Sequence, residues 1–327
     1  MSTVLRSIRA AYCTQAVVDW LALEIETARP TQFQWLQRTL ADHFGDGKRT
    51  YIDSIDADAS GATTRFLVRL NDDHCRTVDT VRAALAALDQ RHTLVGPALV
   101  KLLEVSLDFY PKDDQARAYL PLLVARLQTS LEAAGGTSHR LVGPTKRAEH
   151  LDSTDTPDPR RTLYINNKLD PLAWRVYYKI TDRDQTLPRD QHRARVEFTL
   201  QGVGLHQYGI NTVDDLAALD FGDFGHLLHF RQFKPLPDLI ANMKPELAQL
   251  VQHATRRDRN MISLYPFGLH AYRRYNTGKH AGKPRNGGHP ELRKHSTHTT
   301  ADAELNQLVR NRLHDLTQFF TQNWNEK

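Results

Sequence analysis

The chain has 327 residues, 40% apolar and 25% charged, which is the balance of one or two folded domains and not of a disordered chain. No run of about 18 apolar residues is present to cross a membrane, and Met1 to Cys13 lacks the apolar core of a secretory signal. Cys13 and Cys75 are the only cysteines, too few for a disulfide framework or a zinc site, so the expected compartment is a reducing cytoplasm, and the net charge of +5 admits a polyanionic partner without requiring one.

Leu21, Leu23 and Ile25 alternate with Ala22 and Glu24, so Asp19 to Ile25 is expected as a strand. Thr31 is placed to cap a helix with the stripe Phe33, Leu36, Leu40 and Phe44, which Gly45 stops. Thr50 to Ile55 and Thr64 to Leu70 read as a hairpin turning at Asp58 to Gly61. Val81, Leu85 and Leu88 mark a helix over Thr77 to Leu88.

Leu102 to Tyr110 alternates Leu103, Val105, Leu107 and Phe109 with Glu104, Ser106 and Asp108, the pattern of a half-buried strand. Gln115 to Ala134 reads as an amphipathic helix, with Pro121 as a second place for it to begin and Gly135-Gly136 as its end. Thr145 to Arg160 is polar and carries two prolines, which predicts an exposed loop. Strands are expected at Arg161 to Asn166, Ala173 to Ile180 and Arg193 to Gly202, and short helices near Thr212 to Leu219 and Pro235 to His253. Leu305, Leu308, Val309, Leu316 and Phe320 give a last helix over Asp302 to Phe320. The whole reads as α+β, with a mainly antiparallel sheet and helices packed on one face. No internal repeat and no glycine-rich phosphate loop is present.

Three of the strands carry groups that can do chemistry. Glu104 and Asp108, four apart on a strand, share a face. They are either a solvated strand surface or oxygen ligands for a hard divalent metal such as Mg²⁺ or Mn²⁺. In Trp174-Arg175-Val176-Tyr177-Tyr178-Lys179, Arg175, Tyr177 and Lys179 point one way, and Trp174, Val176 and Tyr178 point the other, toward the core. A tyrosine between two cations is either a nucleophile whose phenolate they favour, with a phosphate held by the same cations, or a surface ring lying over aliphatic stems. In the third strand Arg193, Arg195, Glu197 and Thr199 share a face. Glu197 there is a third metal ligand, an orienter of a base, or half of an ion pair with Arg175 or Lys179.

From Arg256 to Lys294 ten Lys or Arg stand against two acids, with Tyr265, Phe267, Tyr272 and Tyr275 interleaved. Cations that contact phosphates and rings that stack on unpaired bases make this a candidate nucleic-acid segment, through Arg256, Arg257, Arg273, Arg274, Lys279, Lys283 and Arg285. The alternative is a solvated loop rich in Gly, Pro and His. Sixteen histidines are present, including His226 and His229 three apart, but there is no HExxH and no two histidines separated by one apolar residue.

Taken in order, these segments resemble the plasmid and phage replication initiation factors of the Rep_trans type, rolling-circle initiators related to relaxases of some integrative elements. Val18-Asp19-Trp20-Leu21 is similar to that family's first strand, and Glu104 and Asp108 stand where it has two carboxylates. Arg175-Val176-Tyr177-Tyr178-Lys179 is similar to its Arg-Ile-Tyr-Asp/Asn-Lys strand, and Arg195-Val196-Glu197-Phe198 to its Arg-Val-Glu-hydrophobic strand. The resemblance covers about residues 17 to 203. Three positions depart from it: Leu103 replaces an arginine, Glu104 an aspartate, and Tyr178 an aspartate or asparagine.

The resemblance implies a nicking-and-joining endonuclease with an HUH-endonuclease-like core that lacks the His-hydrophobic-His pair. In it Tyr177 attacks a phosphodiester, Arg175 and Lys179 assist, and Glu104, Asp108 and Glu197 hold the metal. Arg195 contacts DNA. Strand alternation favours Tyr177 over Tyr178, because Tyr177 shares a face with Arg175 and Lys179. Residues 1–205 would form the nicking domain, and 206–327 a helical and basic region that adds DNA binding. The implied partners are origin DNA, unpaired or in a hairpin at the nick, with a host helicase and a second copy of the chain as further candidates. An origin-binding protein or repressor without chemistry and a conjugative relaxase are the competing readings.

Overall fold

Strands whose apolar residues fall on alternate positions pair most stably when all of those positions meet one core. A computed structural model of the chain describes residues 7–45, 50–133, 138–142, 148–150, 160–182, 185–233 and 299–321, and its centre is such a sheet. Its strands are β1 (Tyr12–Thr31), β2 (Tyr51–Ile55), β3 (Thr63–Asn71), β4 (Leu99–Pro111), β5 (His139–Val142), β6 (Ala148–His150), β7 (Thr162–Ile165) and β8 (Leu172–Lys179). The short pair β9 (Thr181–Asp182) and β10 (Gln185–Thr186) leads into the ninth sheet strand, β11 (Arg193–Gln201). The order across the sheet is β2-β3-β1-β4-β11-β8-β7-β5-β6, and every neighbouring pair is antiparallel. The expected α+β class with a mainly antiparallel sheet is the one observed.

One face of the sheet is apolar. Leu21 and Leu23 of β1, Phe66 and Val68 of β3, and Val105 and Phe109 of β4 are fully buried, as are Val176 of β8 and Phe198 of β11. They form a single cluster with Leu36 and Leu40 of α1 (Phe33–Phe44), Val81 and Leu88 of α2 (Val78–His92), and Val124 and Leu127 of a helix over Leu120–Ser130. The C-terminal helix Ala303–Thr321 adds Leu305, Leu313 and Phe320. Each such side chain contributes roughly 1.5–3 kcal/mol over its exposed state. A slip of one residue would turn a whole strand's set to the wrong side, so this cluster fixes the register. Trp174 on β8 joins the core and donates its indole N–H to Leu227 O at 2.8 Å.

Several boundaries differ from the sequence reading. The first strand runs from Tyr12 to Thr31 instead of Asp19 to Ile25, because its first half pairs with β4 and its second half reaches β3. Thr31 therefore ends a strand, and the position before α1 is Gln32, which makes no side-chain cap bond. The expected single helix over Gln115 to Ala134 is two, Asp114–Ala118 and Leu120–Ser130, with Pro121 in the first turn of the second and Asp113 capping the first through the Ala116 N–H. Within the expected loop Thr145 to Arg160, residues 148–150 form the edge strand β6, and 145–147 and 151–159 lie outside the described residues. So do the expected helix at Pro235 to His253 and the basic segment from Arg256 to Lys294. The hairpin reading holds, and its turn is closed by Asp58, whose Oδ1 accepts from the Ser60 and Ala62 N–H groups at 2.8 and 3.0 Å.

Residues beyond the sheet are tied back to it. Arg231–Phe233 pairs with Thr299–Ala301, and the helix Ala303–Thr321 follows directly. Its Phe320 ring meets Phe221 at 5.3 Å, and Asp302 takes Arg126 from the helix Leu120–Ser130 at 2.5 Å. Among the described residues no helix is long and apolar enough to cross a membrane.

Candidate active site

The face of the sheet opposite the apolar cluster is polar where β1, β4, β11 and β8 lie side by side. Register brings the three chemically marked segments together. Glu197 is paired with Ser106 on one side and Arg175 on the other. Arg195 is paired with Asp108 and Tyr177, and Thr199 with Glu104. Residues opposed in register share a face, so Glu104, Asp108, Arg175, Tyr177, Arg195 and Glu197 all point to the same side.

A fourth carboxylate reaches that side through a bulge. Val18 pairs with Val105 and Trp20 with Glu104, which leaves Asp19 as an extra residue in β1. Strict alternation would have placed Asp19 with Leu21, Leu23 and Ile25 in the core. The bulge re-aims it, and its Oδ1 meets Arg195 Nη1 at 2.6 Å. Asp19, Glu104 and Glu197 each offer a carboxylate oxygen, all within 4.8 Å of one another, and all three side chains are buried.

The remaining polar contacts sort the residues by role. Tyr177 donates its hydroxyl to Glu197 Oε1 at 2.6 Å. Arg175 bridges two acids, with Nε 2.5 Å from Glu197 Oε2 and Nη2 2.8 Å from Glu104 Oε1. Thr199 donates to Glu104 Oε2 at 2.8 Å. Asp108 holds Arg195 with both oxygens, at 2.5 and 2.6 Å, and also faces Arg193 Nε at 3.1 Å. Lys179, 8% exposed, pairs with Asp182 at 3.0 Å.

Two of the expected site residues stand in a different setting from the rest. Asp108, held by Arg195 through both oxygens, is not one of the three carboxylates whose oxygens converge, whereas Asp19 is. Arg195 is 1% exposed and faces Asp19, Asp108 and Glu197. Arg175, Tyr177, Glu104 and Glu197 stand together on one face as the spacing required. Tyr178 lies on the other side, partly buried against the core with its ring edge-on to His192 at 6.0 Å. The candidate DNA contacts Arg256, Arg257, Arg273, Arg274, Lys279, Lys283 and Arg285 are outside the described residues.

The electrostatics follow from burial and crowding. Burial first, and then the neighbouring Glu197 carboxylate, push Glu104 up to about 8. Tyr177 lies well above the ordinary phenol value, through burial and then Glu197. Burial works against the charged form of Asp19, yet Arg195 outweighs it and holds the carboxyl below its usual range. Burial likewise opposes the charge on Arg175, and Glu197 and Glu104 overcome that and hold it fully protonated. Burial and the neighbouring carboxylate thus favour the neutral form of Glu104, in a group of three acids whose oxygens converge. An all-oxygen donor set of this kind suits a hard divalent cation, so the residues present fit Mg²⁺ or Mn²⁺.

No protein-family model matches the sequence, and no curated protein matches it. Among solved structures, the chain is similar to a rolling circle replication initiator protein from Geobacillus stearothermophilus, at 15% identity and a TM-score of 0.36, over 79% of this chain and 98% of that one.

Proposed function

We propose that this chain is a rolling-circle replication initiator that nicks and rejoins one DNA strand through a tyrosine. The observation that carries the reading is the 2.6 Å hydrogen bond from Tyr177 to Glu197, a member of the group of three carboxylates suited to a divalent cation. A nucleophile needs a base within hydrogen-bond reach, and here the base is also part of the acidic cluster. The order of the sequence motifs supports the same reading.

Tyr177 Oη attacks the scissile phosphorus as its proton passes to Glu197. The Oη–P bond forms, the P–O3′ bond breaks, and the products are a 5′-phosphotyrosine and a 3′-hydroxyl that takes a proton. Because Tyr177 sits well above the ordinary phenol value, it reacts as a phenol deprotonated in the step, not as a standing phenolate. Attack by the 3′-hydroxyl reverses the sequence and rejoins the strand without a nucleotide cofactor. Arg175, already beside Glu104 and Glu197, offers its planar fork to the phosphate. Mg²⁺ or Mn²⁺ held by Asp19, Glu104 and Glu197 would neutralise charge that builds on the phosphate oxygens.

Residues 1–205 carry this chemistry, and 206–327, with the basic segment Arg256 to Lys294, add duplex contacts near the origin. A polymerase extends the 3′-hydroxyl, and a helicase opens the duplex ahead of it. The deciding experiment incubates the protein with supercoiled plasmid bearing its origin and Mn²⁺. Relaxed product with protein bound at the 5′ end is expected. Binding without nicking at any metal concentration would leave an origin-binding protein with no chemistry. A relaxase would share the nicking step and differ in needing a transfer origin.

A further inference from the structure

The acidic face does not end at the carboxylates. Trp20 is paired in register with Glu104 and so stands on the same side of the sheet, next to the bulge that delivers Asp19. Its ring lies 5.8 Å from that of Tyr51 on β2, at an interplanar angle of 56°. Tyr51 is 42% exposed and is paired in register with Arg69, whose guanidinium reaches Asp53 at 2.7 Å on the same outer surface. An aromatic pair therefore begins one residue from the acidic cluster and runs across β3 to the edge strand β2, toward solvent.

We propose that Trp20 and Tyr51 form a stacking platform for an unpaired base of the DNA strand whose phosphate lies at the acidic cluster. This rests on the reading that the face takes a DNA strand, and it names the form of that strand. An aromatic ring left two-fifths exposed on an edge strand contributes little to the core, whereas every base offers a flat π-face to it. Consecutive nucleotides splay their bases to the side of the backbone, so a phosphate at Glu104 puts a neighbouring base within reach of the ring opposite Glu104. A duplex has no free face to offer, so the platform selects melted or looped DNA. Arg69 is half-exposed in an ion pair of the kind that exchanges readily, and it stands ready to meet the next phosphate outward.

The test compares a fluorescein-labelled oligothymidylate with an abasic strand of the same length, which keeps the phosphates and removes the bases. The full-length protein should prefer the oligothymidylate, and Tyr51→Ala should weaken that binding by roughly five- to hundredfold, in line with stacking on one base. Affinity for the abasic strand should stay unchanged in Tyr51→Ala, and Tyr51→Phe should bind as the parent does. Because Tyr51 is exposed, its replacement leaves the core untouched. Quenching of tryptophan fluorescence by the oligothymidylate, lost in Trp20→Leu, is the second readout. Equal affinity of Tyr51→Ala and the parent for the oligothymidylate overturns the proposal, as does a loss that is the same on both strands. The nicking reading is judged separately, by the covalent adduct, so either can fail while the other stands.

Discussion

Tyr177 and Glu197 are joined across the β8–β11 pair by a 2.6 Å hydrogen bond in which the phenol donates. The other oxygen of that carboxylate faces Arg175, so the proposed base has a neighbour on each oxygen before any substrate arrives. Tyr177→Phe is expected to abolish the covalent 5′ adduct while leaving DNA binding intact. Tyr178→Phe should retain the adduct, since Tyr178 lies on the far side of β8. Glu197→Gln, which keeps the shape and loses the base, should slow adduct formation by about 10²–10⁴-fold, the usual worth of a positioned proton acceptor. Denaturing gels with end-labelled DNA read all three. An adduct that survives in Tyr177→Phe and disappears in Tyr178→Phe would falsify the assignment.

Asp108 and Asp19 both bind Arg195, but their removal should have different consequences. Asp108 supplies two of the contacts to a guanidinium that is 1% exposed. Asp108→Ala leaves that charge buried and half-compensated, which costs about 3–5 kcal/mol. Asp19→Asn keeps the volume and a hydrogen-bond acceptor for Arg195, yet removes one charge from the acidic group. It should lose at least about tenfold in Mn²⁺ affinity, with a smaller change in stability. Urea denaturation and calorimetric metal titration of the two variants separate the roles. Equal loss of Mn²⁺ affinity in both would return Asp108 to the ligand set.

Glu104 sets a pH dependence whose sign can be worked out. In the folded chain it keeps its proton up to about 8, whereas its ordinary value is 4.5. Between these values the folded state binds more protons than the unfolded one, so the free energy of unfolding falls as pH rises through that window. A divalent cation must expel this proton, so its affinity should climb about tenfold per pH unit and level off above about 8. Metal titrations at several pH values check this, with Glu104→Gln as the control that flattens the profile. A profile already flat across that window in the parent protein would show that Glu104 is ionised there without the metal.

The fold was legible because it rests on alternation. Leu103, Val105, Leu107 and Phe109 declared a core face, and Glu104 and Asp108 therefore declared an outer one, which is where both are found. The same rule placed Tyr177 with Arg175 and Tyr178 against the core. It failed at Asp19, because period two assigns that residue to the side of Leu21 and a bulge reverses it. A bulge depends on how two distant strands match, which no local window contains. The extent of β1 was hidden for a similar reason, since its two halves are satisfied by different partners. Spacing gives the direction of Asp108 and not the arginine that holds both of its oxygens. The helix expected over Gln115 to Ala134 broke at Tyr119, where the proline two positions on starts a new first turn.

Arg175 poses the last question, because it stands where a cation would act. It contacts Glu104 at 2.8 Å and Glu197 at 2.5 Å, two of the three carboxylates that could hold a metal. Its positive charge partly neutralises them and opposes a second cation nearby, an interaction that at these separations is worth several kcal/mol even in a polarisable interior. Arg175→Gln should therefore bind Mn²⁺ more tightly, by on the order of tenfold or more. Nicking should nonetheless fall, because glutamine offers the phosphate no charged fork. Tighter metal binding together with slower chemistry is the signature expected, read by calorimetry and by single-turnover adduct formation. If the variant binds Mn²⁺ more weakly, Arg175 is holding the carboxylates in place for the ion, and its charge is secondary.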